Sequence, residues 1–259
     1  MWQNLRYWIT NFLGSGQPRN YIMVVSHQRQ YAFVMFPKSG SSSIKYILSN
    51  LHRKEFNIQD PTMDSHDLHI PFNHIDARDL PANYKIFVCV REPYARVCSM
   101  FFNRELDIAD RNFNVDCSDI VASPRTFRQF VNMLSKTPDR LLDFHYRTQD
   151  HWIPTERVTY CFKLQNISTE LPRVLATVGF THEEVIAHMS RKEVVKRNLA
   201  LYDRFADGAL ADYNFLEDPY DLQVIKNGAP SNQAMYVPEL RQKVQERYSY
   251  DFDTYGFAR

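Results

Sequence analysis

The choice of fold is narrowed most by residues 33–48, which read FVMFPKSGSSSIKYIL. A run of strand-forming residues meets a short polar turn containing Pro37, Lys38 and Gly40. From Ser43 onward the apolar positions recur at helical spacing, and serines are good caps at a helix start. A strand, a tight turn and a helix in this order predict one unit of an α/β fold.

Further along the chain the same pattern recurs. Residues 85–90, KIFVCV, form a continuous apolar run, which is typical of a central parallel strand covered on both faces. An REP turn follows, and a second helix is predicted from Pro93. Residues 157–164 are strand-like, and the β-rich runs 21–26 and 31–36 predict a hairpin or two adjacent strands. The class is therefore α/β, with a central parallel sheet flanked by helices and a mostly helical C-terminal half.

Length and charge bound the domain organisation. The 259 residues carry no repeats and no long linker, so we expect a single domain over 1–259, with residues 1–20 as an amphipathic N-terminal extension. No apolar stretch is long enough for a signal peptide or a membrane span, so we expect no integral membrane segment and a cytoplasmic location. The net charge of +1 argues against a nucleic-acid partner.

The turn after the first long strand has the composition of an anion site. A helix that begins after a Gly/Ser turn directs free N–H groups and the positive end of its dipole at one point. The hydroxyls of Ser41, Ser42 and Ser43 add donors, and Lys38 adds a point charge. These groups suit a phosphate or a sulfate.

A nucleotide P-loop does not fit this turn. Met35 stands where that motif has its first glycine, and Lys38 precedes Gly40 instead of following it. The sequence therefore disfavours a kinase or GTPase.

Arg91 and Ser99 predict a second anion site. Arg91 ends the apolar strand 85–90, and Ser99 lies eight residues further on, in the following helix. Ligands of α/β sheets bind at the carboxyl ends of strands, so Lys38 and Arg91 are expected to face one crevice. Arg91 offers a bidentate fork and Ser99 a hydroxyl.

The two turns together resemble a known family. FPKSGSSSIKYIL is similar to the 5′-phosphosulfate loop of the sulfotransferases, and VREPYARVCSMF resembles their 3′-phosphate element. The P-[FY]-x-R variant of that element resembles family 2, the Golgi-type carbohydrate sulfotransferases and their bacterial relatives. DHWIPTERVTYCFKLQNISTEL and YVPELRQKVQERYSYDFDTYGF are similar to two later segments of that family, in the same order.

Three positions depart from the family pattern. Thr155 stands where the family usually has Gln, Gln165 where it has Glu, and Glu92 is a variation in the REP turn. The first two concern the acceptor side or the framework rather than the donor site. No counterpart of a Golgi anchor is seen, so we expect a soluble bacterial-type or phage-type member, and a Golgi-lumenal catalytic domain only if the chain is truncated.

The resemblance implies a P-loop-like three-layer sandwich and transfer of a sulfuryl group from 3′-phosphoadenosine 5′-phosphosulfate (PAPS), leaving 3′,5′-ADP. Lys38 would stabilise the leaving oxygen, and no metal would be required. The donor-binding residues that the resemblance implies are Lys38, Ser39, Gly40, Ser41, Ser42, Ser43, Arg91 and Ser99.

A histidine is the expected general base. In related uronyl-type sulfotransferases a histidine ahead of the 3′-phosphate strand has this role, and His69 matches it best by its spacing to Arg91. His66 and His74 are the next choices, and Glu55 is a further one, because other sulfotransferases use a glutamate on the helix after the loop. His151 is another candidate group on the acceptor side.

The acceptor is expected to be a carbohydrate, a glycolipid or a hydroxylated small molecule, and the sequence carries no signal of oligomeric state. Two alternatives stay open. One is a non-catalytic module of sulfotransferase fold that binds 3′,5′-ADP or a glycan, and the other is an atypical P-loop kinase.

Overall fold

The structure, a computed structural model, describes residues 23–55, 80–102, 126–142, 145–149, 155–189 and 235–259. Within these residues one sheet contains four strands that lie side by side in chain order. They are β1 (Met23–Ser26), β2 (Tyr31–Met35), β3 (Lys85–Val90) and β4 (Tyr160–Lys163).

Strand direction divides the sheet into a parallel part and one antiparallel edge. β2, β3 and β4 are parallel, with Phe33 opposite Phe87 and Phe87 opposite Tyr160. β1 is antiparallel to β2, with Ser26 opposite Tyr31. Four residues separate these two strands, which is too short for the crossover that a parallel pair needs. The predicted parallel sheet is thus confirmed for three strands, and the hairpin alternative accounts for the fourth.

Seven α-helices accompany the sheet within the described residues. They are α1 (Ser41–Leu51), α2 (Pro93–Met100), α3 (Phe127–Lys136), α4 (Ile167–Ala176), α5 (His182–Met189), α6 (Pro238–Arg247) and α7 (Ser249–Tyr255). Three short 3₁₀ turns are also present, at Asp139–Leu141, Thr155–Arg157 and Leu164–Asn166.

One face of the sheet is covered by α1, α4 and α5. Side chains two positions apart on a strand point to the same face, so alternate residues of β2 and β3 form one apolar surface. Helix residues at helical spacing pack onto it. The buried side chains of this layer include Phe33, Met35, Phe87, Cys89, Ile44, Leu48, Leu171, Leu175 and Val185.

The other face is covered by α2, α3, α6 and α7. The remaining residues of the same strands point to it, and Phe101, Phe127 and Phe130 pack edge to face or tilted against one another there. Further buried side chains of this layer are Val34, Val88, Val90, Val97, Leu134, Leu240, Val244, Tyr248 and Phe252. The result is three layers, as predicted.

The carboxyl ends of β2 and β3 lie at the same edge of the sheet because the two strands are parallel. The turn at residues 36–40 and the turn that starts at Arg91 therefore both project there. We call this the carboxyl edge. None of the described helices has the length and apolarity needed to cross a membrane.

Candidate functional site

The turn between β2 and α1 has two residues in the left-handed backbone region. Lys38 has a φ of 65° and Gly40 a φ of 81°. Lys38 bears a side chain there, which is uncommon and is found mostly where surrounding contacts impose the conformation. A Cβ added at Gly40 would lie 2.5 Å from the Leu164 Cδ1 atom. Glycine is therefore favoured at position 40 by its backbone conformation, and a side chain there would also have to displace the end of the Leu164 side chain.

The N-terminus of α1 is open to a ligand. Gly40 caps the helix without a side-chain hydrogen bond, and the first turn contains no acidic residue. The first helical bond runs from Ile44 N–H to the Gly40 carbonyl at 3.0 Å. Within the described part of the chain, no backbone carbonyl accepts from the N–H groups of residues 40–43. These donors and the half-buried Ser41–Ser43 make this end of α1 suitable for an anion.

Ser39 is directed away from that end. Its side chain is buried, its hydroxyl donates to Gln149 Oε1 at 2.7 Å, and its N–H donates to the Phe36 carbonyl at 3.2 Å. Both polar hydrogens of Ser39 are therefore used inside the protein. Ser39 would have to release these bonds to offer the same hydrogens to the donor, and its assignment to donor binding stays a prediction.

Arg91 joins the two predicted anion loops. It directly follows β3, it is half-buried, and its Nη1 donates to the Lys38 carbonyl at 3.1 Å. The bond holds the left-handed turn at Lys38 from the neighbouring loop. The structure thus brings Lys38 and Arg91 together at the carboxyl edge.

The helix after Arg91 is capped by the variant residue of the REP turn. The Glu92 carboxylate accepts from the N–H groups of Tyr94 and Ala95 at 2.9 and 2.8 Å, and Pro93 occupies the first helical position. Glu92 therefore caps this helix, and Pro93 has the fixed φ that suits the first helical position. Ser99 lies near the far end of the same helix and is 8% exposed.

Gln149 connects the Lys38 and Arg91 loops from inside the protein, and it was not identified from the sequence. The side chain is fully buried. Its Oε1 accepts from Ser39 Oγ and, at 2.8 Å, from Arg91 N–H. Its Nε2 donates to the Arg91 carbonyl at 2.9 Å and to Asp251 Oδ2 at 3.1 Å.

Asp251 and Arg96 complete the buried network. Asp251 Oδ1 accepts from the backbone N–H of Gln149 at 2.8 Å. Arg96 Nε donates to the Pro37 carbonyl at 3.1 Å, and Nη2 donates to the His145 carbonyl at 3.2 Å. Arg96 Nη1 lies 3.9 Å from Asp251 Oδ2. Burial lowers the pKa of the Arg96 guanidinium, and the Asp251 carboxylate opposes that shift.

The sequence contained a weak signal for two of the three network residues, Arg96 and Asp251. Arg96 is the arginine of the P-[FY]-x-R element, and Asp251 is the aspartate of the family-like C-terminal segment. No physical role could be given to either from spacing alone. Gln149 stands just ahead of the third family-like segment and carried no signal of its own.

Of the candidate base residues, only Glu55 lies in the part of the chain that the structure describes. His66, His69 and His74 lie in 56–79, and His151 in 150–154, outside the described residues. Glu55 is described, and it lies beyond the C-terminal end of α1. Since α1 has 11 residues, this is roughly 16 Å along the helix from the open N-terminus.

Glu55 belongs to a closed polar cluster at the opposite edge of the sheet, which we call the amino edge. Its carboxylate accepts from the Ser26 hydroxyl at 2.9 and 3.0 Å and contacts His52 Nδ1 at 2.6 Å. His52 Nε2 lies 2.5 Å from the Tyr31 hydroxyl. Burial lowers the pKa of His52, although Glu55 opposes the shift. A neutral ring with its proton on Nδ1 would donate to Glu55 and accept from the Tyr31 hydroxyl at Nε2.

The two other departures from the family pattern lie beside β4. Thr155 begins the 3₁₀ turn that precedes the strand, and Gln165 is exposed in the 3₁₀ turn that follows it. Leu164, in that second turn, is the residue that packs against Gly40.

Comparison with known proteins agrees with the geometry of the two loops. A family model described as "Sulfotransferase family" matches residues 21–258, consistent with the family-2 resemblance. No curated protein and no solved structure matches the chain. The match spans both loops, the buried network and nearly the whole sequence. This chain belongs to the sulfotransferase family.

Proposed function

We propose that this protein transfers the sulfuryl group of PAPS to an acceptor hydroxyl, with a carbohydrate as the acceptor class. The observation that carries the proposal is the bond from Arg91 Nη1 to the Lys38 carbonyl. It joins the two loops that the sequence analysis assigned to the two ends of one bisphosphate. A ligand with two anionic groups therefore fits this edge better than a ligand with one.

The start of α1 supports a site for the 5′-phosphosulfate. The N–H groups of residues 40–43 lie there without a backbone acceptor among the described residues, and a helix N-terminus of this kind favours an anion. PAPS supplies an activated sulfuryl group whose leaving group is a phosphate. The Lys38 ammonium would stabilise the charge that grows on the leaving oxygen.

Arg91 and Ser99 would hold the 3′-phosphate. A guanidinium has five N–H donors, so the bond from Nη1 to Lys38 leaves this group able to bind a phosphate as well. The bond also fixes the plane of the guanidinium, which favours bidentate recognition. Ser99 lies on the helix that begins two residues after Arg91.

His69 is our proposed general base, with His66 and His74 as the alternatives. A general base must come within hydrogen-bond reach of the acceptor hydroxyl. Glu55 is a poorer choice, because its carboxylate is engaged by Ser26 and His52 at the amino edge.

The test is transfer of label from PAPS carrying a labelled sulfuryl group to a panel of oligosaccharides, glycolipids and small alcohols. We expect labelled product with or without Mg²⁺, with a mass increase of one sulfate. Binding of 3′,5′-ADP without transfer to any acceptor would instead indicate a binding module. ATP consumption that requires Mg²⁺ would indicate a kinase.

His69→Ala tests the proposed base in the same assay. We expect kcat to fall by about 10²-fold or more, while the affinity for 3′,5′-ADP is retained. His66→Ala and His74→Ala are the matched controls, and a larger loss in either one would transfer the role to that histidine.

A further inference from the structure

We infer that Gln149, held by Asp251 and Arg96, is a positioning residue that fixes the distance between the two phosphate-binding loops. The inference rests on the proposed function, because it concerns how the two ends of one donor are held. None of these three residues would touch the donor.

Gln149 contacts both loops with one side chain. Its Oε1 accepts from Ser39 in the first loop and from the N–H of Arg91 in the second. Its Nε2 returns a bond to the Arg91 carbonyl. A displacement of either loop by about one ångström would break a buried hydrogen bond and leave a buried polar group unpaired, which is unfavourable.

The amide of Gln149 uses all of its hydrogen-bonding capacity. A primary amide has two acceptor positions and two donor hydrogens, and here they pair with Ser39, with the N–H and carbonyl of Arg91, and with Asp251. A carboxylate at this position would lack the two donors, and an apolar side chain would remove all four side-chain hydrogen bonds. Of the side chains of this length, only glutamine satisfies the four groups.

Asp251 and Arg96 hold Gln149 in place. Asp251 accepts from both the backbone and the side chain of Gln149, and it is fully buried. Arg96 is 1% exposed, supplies the opposite charge 3.9 Å from Asp251, and donates to the Pro37 carbonyl. The network therefore closes on itself: it leaves the first loop at Ser39 and returns to it at Pro37.

The burial of the network separates positioning from ligand contact. Gln149 and Asp251 have no exposed surface, and Arg96 has almost none. Two anion sites held at a fixed separation bind a bisphosphate far more tightly than a monophosphate, because the second contact becomes intramolecular. Loosening the separation removes that advantage without removing any phosphate contact.

The experiment compares three nucleotides by calorimetric titration on the full chain: 3′,5′-ADP, which spans both loops, and 5′-AMP and 3′-AMP, which each reach one. In Gln149→Ala we expect the affinity for 3′,5′-ADP to fall by about 10–100-fold, and the affinities for the two monophosphates to stay within about twofold. Ser39→Ala removes only the bond to the first loop and should show the same pattern, more weakly. It also serves if Gln149→Ala does not fold.

Thr148→Ala is the matched control. Thr148 is the buried neighbour of Gln149, and its hydroxyl donates to Asp139, on the turn after α3, instead of to a loop. An equal loss for all three nucleotides in Gln149→Ala and Ser39→Ala, or no loss, would overturn the positioning role. If the unmodified protein shows no preference for 3′,5′-ADP over the monophosphates, the proposed donor itself is wrong.

Discussion

The carboxyl edge and the amino edge of the sheet both contain buried polar clusters, and they use their hydrogen bonds in different ways. At the amino edge, Ser26, Tyr31, His52 and Glu55 pair with one another. At the carboxyl edge, Gln149 and its partners pair with loop backbone, while the N–H groups at the start of α1 have no backbone acceptor among the described residues. A closed cluster stabilises the fold, whereas donors left open beside a rigid support can receive a ligand.

Removal of either cation at the carboxyl edge should have the largest effect. We expect Lys38→Ala and Arg91→Ala each to lower kcat/KM for PAPS by about 10³-fold, because each removes a positive charge of the protein that would bind the anionic donor. Steady-state kinetics measures this. Arg173→Ala, on the exposed face of α4, is the control and should leave kcat/KM unchanged. Unchanged affinity for 3′,5′-ADP in Arg91→Ala would contradict its assignment to the 3′-phosphate.

A side chain at Gly40 should destabilise the turn that precedes α1. Gly40→Ala would cost about 1–2 kcal/mol for the left-handed backbone, and the shift that it forces on the end of the Leu164 side chain adds to that cost. Gly256 also has a positive φ, of 59°, but has no atom within 4 Å of an added Cβ. Urea unfolding should therefore show a smaller loss for Gly256→Ala. Equal losses would show that Leu164 yields without cost.

Substitution of Glu55 tests whether the amino edge contributes to stability and not to catalysis. We expect Glu55→Gln to lower the free energy of unfolding by about 1–3 kcal/mol, because hydrogen bonds from Ser26 and His52 to a carboxylate are weakened. We expect kcat to stay within about twofold of its original value. A loss of kcat by about 10² or more would make Glu55 the general base after all.

The smallest expected effect is on the pH dependence of the free energy of unfolding. Burial lowers the pKa of His52 below its ordinary value of 6.5. At mildly acidic pH the unfolded chain therefore binds a proton at this histidine more readily than the folded protein does. The contribution of His52 to stability is therefore complete above about pH 6.5 and falls as the pH drops below it, by at most about 1.4 kcal/mol per pH unit. Urea unfolding between pH 5 and 7.5 should show a smaller pH dependence in His52→Gln. An identical slope in both proteins would contradict a neutral buried His52.

The local parts of the fold follow from the sequence. The strand predicted at 85–90 has those bounds in the structure. The helix predicted from Ser43 spans Ser41–Leu51, so the serines form its first turn and Gly40, not a serine, is its cap. Both predictions rest on short-range hydrophobic patterns that a single sequence displays: a continuous apolar run for the strand and helical spacing for the helix. The position of Lys38 beside Arg91 follows from strand direction, since parallel neighbours end at the same edge.

The support of the site does not follow from the sequence, because its members are far apart in the chain. Ser39 and Gln149 are 110 positions apart, and Gln149 and Asp251 a further 102. Ser39 was assigned with the other serines of the loop, and only the three-dimensional path of the turn through a left-handed Lys38 shows that it points inward.

This long-range support has a consequence for the order in which the protein is made. The loop at residues 36–40 is synthesised early, but the carboxylate that anchors Gln149 is that of Asp251 in α7. While the ribosome is still translating the residues before α7, Asp251 has not been made. The hydrogen bonds that run from Ser39 through Gln149 to Asp251 therefore cannot be completed. Contacts of such high sequence separation also form slowly. We therefore expect a nascent chain arrested before α7 not to retain 3′,5′-ADP, and retention to begin only once α7 has left the exit tunnel.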